Sequence, residues 1–125
     1  MKTLKVYLSQ EILEHHNYTD IIKDTELLKQ SAINHYKNID QNINLEFELC
    51  YKFEPVNETV KQIVQVSPFE RIKKIHDNSL SSIFFLSINN SLSVMANLEH
   101  AFILASHLPI TINMINKELP NVYYL

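Results

Sequence analysis

The stretch SSIFFLSINNSLSVMANLEHAFILASHLPITINMI, residues 81–115, carries the architecture of the chain. Its first eight residues are a compact run of β-branched and aromatic side chains, apolar on both faces. That pattern predicts a central strand buried on either side. From 92 to 107 the apolar residues recur at helical spacing, which predicts a helix. PITINMI, 109–115, returns to strand character. A strand, a helix and a second strand in so short a span is the repeating unit of a parallel sheet.

The same alternation continues on both sides of this stretch. LKVYLS, 4–9, reads as a first strand. Ile21, Ile22, Leu27, Leu28, Ala32, Ile33 and Tyr36 recur at spacings near 3.6, with Thr19 or Asp20 as candidate caps and an end near the polar cluster 38–42. In INLEFELCYKF, 43–53, Leu45, Phe47, Leu49, Tyr51 and Phe53 fall on one face and Glu46, Glu48 and Lys52 on the other. This predicts a half-exposed edge strand, with Cys50 on its polar side. Residues 58–66 fit a short helix or a strand equally well. Ser67 followed by Pro68 and Glu70 is a helix start, and Asn78 closes that helix. VYYL, 122–125, is a candidate last strand. The expectation is one α/β domain over 1–125, mostly parallel, with helices on both faces in a flavodoxin- or Rossmann-like layout.

Composition narrows the function classes. The chain has 125 residues, a net charge of −3 and 46% hydrophobic residues, which suits one core and offers no basic field for nucleic acid or anionic lipid. No uncharged apolar run reaches membrane-spanning length. The opening MKTLKVYLSQEILEHH reaches charge too soon for a signal peptide. A lone Cys50 forms no internal disulfide, so a reducing cytoplasm is the expected location. There is no glycine at all. The P-loop and the dinucleotide fingerprint are therefore absent, and the turns must use residues that tolerate φ > 0, with Asn17, Asn57, Asn78, Asn89, Asn90 and Asn121 placed for it.

In such a sheet ligands bind beyond the carboxyl ends of the strands. The loops after 4–9 and 81–88 meet there, which gathers Tyr7, Ser9, Gln10, Asn89, Asn90 and the start of the last helix as candidate binding residues. Glu99 lies on that helix, four residues after Met95 and three before Phe102. An acid beside an apolar surface serves as a nucleophile or general acid/base when it lines a cleft. Otherwise it is a solvated carboxylate at the edge of a core helix.

EHAFILASHLPITI, 99–112, resembles the helix and strand that end the nucleoside 2-deoxyribosyltransferases, in Glu99, Ala101, Phe102 and the His107-Leu108-Pro109 approach to the strand. KVYLS resembles that family's first strand, and PFERIKKIHDNSLSSIFFLSI its preceding helix and central strand. By resemblance Glu99 is the nucleophile attacking the sugar C1′ and Tyr7 orients it. Ser9, Gln10, Asn89, Asn90 and Met95 then bind a nucleoside or nucleotide. No cofactor or metal is implied. The chain departs from the pattern where Met95-Ala96 replaces Gly-Thr, where Gln10-Glu11 replaces Gly-Pro, and where Ser81 or Ser82 replaces Asp. The alternative is a catalytically inactive module of this fold that binds a nucleotide or a protein.

Other constellations give weaker signals. The six histidines have no i, i+4 pair with a third ligand, so no metal site is expected. Phe47, Tyr51, Phe53, Phe69, Phe84, Phe85 and Phe102 read as core. Tyr123 and Tyr124 at the end of the chain suggest contact with a second subunit, hence a homo-oligomer.

Overall fold

The computed structural model describes residues 2–12, 18–120 and 122–124. It contains β1 (Lys2–Ser9), α1 (Tyr18–Lys37), β2 (Ile43–Leu49), β3 (Tyr51–Pro55), β4 (Lys61–Gln65), α2 (Pro68–Asp77), β5 (Ser82–Ser87), α3 (Val94–Ala105), β6 (Thr111–Asn116) and β7 (Val122–Tyr124). The main sheet has the order β2-β1-β5-β6-β7. Its first four strands are parallel, and β7 pairs antiparallel with β6. The α/β, mostly parallel architecture expected from the sequence is the one observed.

Strand periodicity divides the core into two layers, because successive side chains point to opposite faces. Val6, Leu8, Phe84, Leu86 and Ile115 pack with Leu28 and Ala32 of α1. Tyr7, Ile83, Phe85 and Ile112 face the other way, against Ile75 of α2 and Ala96 and Ile103 of α3. Every residue of β5 is buried, as its two-sided apolar run requires. Burying each of its large side chains contributes about 1.5–3 kcal/mol.

Several elements differ from the sequence reading. The strand expected over 43–53 is two strands. β2 is an edge of the main sheet, whereas β3 pairs antiparallel with β4 in a separate hairpin. Cys50 sits at the break and is 1% exposed, not on a polar face. Alternation predicts a face only while the strand stays straight, and a break between strands resets it. The ambiguous segment 58–66 supplies β4. Asn57 closes the hairpin turn by accepting from the backbone N–H groups of Thr59 and Val60, both at 2.9 Å. Thr19 and Asp20 lie inside the first turn of α1 rather than ahead of it. Phe69 is 77% exposed and does not join the core.

The missing glycines are replaced only partly as expected. Asn89 and Asn90 take positive φ, but so do Ser79 and His107. Asn78 has φ −99°. Asn17 and Asn121 fall outside the described residues, as do His15, His16 and the side chains of Tyr123 and Tyr124.

Candidate functional site

Tyr7 and Ser9 leave β1 on the side covered by α2 and α3, because they are two residues apart on one strand. α3 starts at Ser93, whose hydroxyl accepts from the backbone of Ala96. Its inner side carries Ala96, Glu99 and Ile103. α2 is capped by Ser67 and turns Arg71 and Ile75 inward, one turn apart. These three elements bring four polar side chains to one point beneath the sheet.

There Glu99 is 0% exposed and Arg71 5%. The Tyr7 hydroxyl donates to Glu99 Oε2 at 2.7 Å and the Ser9 hydroxyl to Oε1 at 2.6 Å. The guanidinium grips the same carboxylate twice, Nε to Oε2 at 3.2 Å and one terminal nitrogen to Oε1 at 2.8 Å. That terminal nitrogen also donates to Ser9 Oγ at 3.0 Å. A bidentate arginine–carboxylate pair is the strongest form of the interaction. In the interior it is kept only when the remaining lone pairs are satisfied, as Tyr7 and Ser9 satisfy them here.

Protonation follows from burial and neighbours. Burial, then the adjacent Glu99 charge, pushes the Tyr7 phenol far above its ordinary 10.0, so Tyr7 is a hydrogen-bond donor at every ordinary pH. Burial works against the Arg71 charge, but the Glu99 carboxylate it grips outweighs that and holds the guanidinium protonated. Burial likewise raises the Cys50 thiol above 9.0. Its Sγ donates to the Gln10 carbonyl at 3.4 Å.

Two recesses open nearby, and only the smaller is lined by a member of this cluster, Arg71. A small one of about 100 Å³ is lined by Ile12, Cys50, Gln65, Val66, Pro68, Arg71 and Met95. A larger one of about 430 Å³ lies at the carboxyl edge of β5 and β6. Glu11, Asp20, Asp24 and Lys117 give it charged lining, and Leu86, Ile88, Ser91, Leu92 and Ser93 complete it. Lys117 is paired with Asp24 at 3.1 Å. The sheet order reverses between β1 and β5, and Glu11 beyond β1 and Leu86 of β5 bring the recess to that point.

The residues singled out from the sequence are distributed unevenly. Tyr7, Ser9 and Glu99 meet directly. Met95 borders the small recess. Gln10 is turned into the protein, its amide bonding the Ile21 carbonyl at 3.2 Å and accepting from Thr25 at 2.8 Å. Asn89 and Asn90 form the turn after β5, Asn90 accepting from Asn116 at 2.8 Å and Asn89 donating its backbone N–H to Glu118. Sequence reasoning misses Arg71. Its only signal is a cation one helical turn before the core residue Ile75. Among the described residues no group of three His, Cys, Asp or Glu could hold a metal ion, and no helix is long and apolar enough to cross a membrane. No protein-family model, curated protein or solved structure matches the chain.

Proposed function

We propose that the chain is a binding module for a nucleoside- or nucleotide-sized small molecule, seated in the recess at the carboxyl edge of β5 and β6 and not turned over. One observation carries this reading. The roomy recess opens at the switch point, while Glu99 is sealed in the interior with both oxygens held by Arg71. A volume of about 430 Å³ falls within the range of small-molecule pockets. A carboxylate engaged by a guanidinium, a phenol and a hydroxyl has no lone pair directed at a reacting carbon. The lone reduced cysteine fits a reducing compartment such as the cytoplasm.

A second reading keeps the chemistry implied by the resemblance: N-glycosidic transfer or hydrolysis, with Glu99 as nucleophile and Tyr7 orienting it. The 2.7 Å bond between these two residues favours it. It requires Arg71 to leave the carboxylate and the small recess to widen. One experiment separates the readings. The protein is titrated calorimetrically with deoxynucleosides, nucleotides and NAD, and the same mixtures are chromatographed for released base. Binding without release, weakened several-fold in Lys117→Ala, supports the module. Release that disappears in a folded Glu99→Gln variant establishes the enzyme. No binding of any of these compounds overturns the module.

A further inference from the structure

The outer side of α3 breaks the rule that a surface helix turns charge to solvent. At about 100° per residue the buried side runs through Ala96, Glu99 and Ile103. The opposite line runs through Val94, Leu98, Ala101 and Ala105, all exposed. Leu104 flanks them, and Asn97 is the one polar side chain on that side. Val94 is 89% exposed, Leu98 48% and Leu104 57%. The other helices behave ordinarily: α1 exposes Lys23, Glu26 and Lys37, and α2 exposes Glu70, Lys73 and Asp77. Phe69 stands at the start of α2. The starts of α2 and α3 approach each other, since Pro68 and Met95 line one recess.

The stripe is built to match itself. Its spacing is four, three and four, the 3.5-residue period of a helix–helix seam. Its two large residues come first and its two small ones last. Laid antiparallel on a copy of itself about a two-fold axis, the stripe sets Val94 against Ala105 and Leu98 against Ala101, large against small at both levels. The same register serves both copies, as an isologous contact requires. No charge lies on the stripe to face its own image across the axis. α3 alone spans about 18 Å, short for the ~800 Å² per partner of a stable interface, and the exposed Phe69 extends the apolar area at its start. We infer that the chain forms a two-fold homodimer through antiparallel packing of α3 on α3, with Leu98 opposite Ala101 of the second copy.

The test uses exposed positions, so the fold is retained and thermal melts of each variant verify it. Light scattering coupled to gel filtration should show the wild-type chain at twice the monomer mass. Leu98→Glu and Ala101→Lys each place like charges close to the axis. Each alone should raise the dimer Kd by about 100-fold or more and elute as monomer. An equimolar mixture of the two variants sets the introduced carboxylate of one chain against the introduced ammonium of the other and should recover the dimer. A wild-type chain that stays monomeric at 100-fold dilution and at its highest concentration overturns the proposal, leaving the stripe to a different partner. So does a dimer that survives both single variants, or two monomeric variants that fail to associate when mixed.

Discussion

Glu99 owes its burial to its partners. An ionised carboxylate alone in the interior costs several kcal/mol, and here Arg71, Tyr7 and Ser9 together offset it. Removing one charge leaves the other stranded. Glu99→Gln and Arg71→Met should therefore each lose about 3–5 kcal/mol of stability, measured by urea unfolding. The double variant should lose clearly less than the two losses added, because the shared penalty is then removed. A loss below ~1 kcal/mol from either single change would mean the pair is open to water. Tyr7 adds a pH signature. Its phenol is neutral when protonated, and the folded state holds that proton more tightly than the unfolded chain does. The contribution is complete below the ordinary 10.0 and is lost as pH rises beyond it, when the unfolded chain ionises first. Cys50, also raised, extends the decline down to about pH 9. Stability should fall from about pH 9 to about pH 11. Tyr7→Phe should make the decline above about pH 10 shallower, the buried Tyr51 phenol, also raised, sustaining the remainder, while lowering stability at neutral pH by about 1.5–3 kcal/mol. Glu99 and Tyr7 can be picked out from the chain because each interrupts or ends an apolar pattern. Arg71 cannot, since an arginine beside an isoleucine reads as an ordinary amphipathic helix until a buried carboxylate faces it.

Helices and strands are legible in the sequence wherever one period runs without interruption. β5 and α3 are such cases, and Ser67-Pro68 marks the start of α2 as observed. The failure at Cys50 has a physical cause: two strands of opposite allegiance follow one another with a single residue between them, and period 2 alone does not register the break. The end of α3 shows how the chain manages without glycine. Leu108 N–H bonds the Ile103 carbonyl at 3.2 Å and His107 N–H the Leu104 carbonyl at 3.3 Å. This paired closure demands a left-handed residue at His107, whose φ is 52°. Glycine takes that conformation without the steric penalty of a Cβ, which is about 1–2 kcal/mol. His107→Gly should stabilise the protein by roughly 1 kcal/mol and raise Tm by about 4 °C. His107→Val should do the reverse, since a β-branched side chain fits that region worst. Equal Tm values for the three proteins would show that the turn relaxes to another conformation.

At the scale of the molecule, the two sheets of the described residues share one core, and among those residues the β3–β4 hairpin forms no ladder with the five-stranded sheet. It is tied down by side chains instead: Tyr51 shares a 2.7 Å bond with Thr25 of α1, Gln65 bonds the Ile12 carbonyl, and Tyr18 lies against Phe53. Cys50 sits at the junction, 1% exposed, between the last residue of β2 and the first of β3. Its thiol is a built-in probe, because it reacts only when that junction opens. Tyr51 is as deeply buried as Cys50, and Cys50 and Tyr51 belong to the same core layer as Ile75, Ile83 and Phe85. Opening the hairpin therefore exposes the main core, so the two units should open together. Labelling by an aromatic disulfide reagent at mildly alkaline pH should then be slower than for an unfolded thiol by at least ~1,000-fold, the protection expected when only global unfolding of a domain stable by about 5 kcal/mol or more exposes it. The labelling rate should respond to urea with the same steepness as global unfolding. Labelling only tens of times slower than the free thiol, and indifferent to urea, would mean the hairpin lifts away on its own.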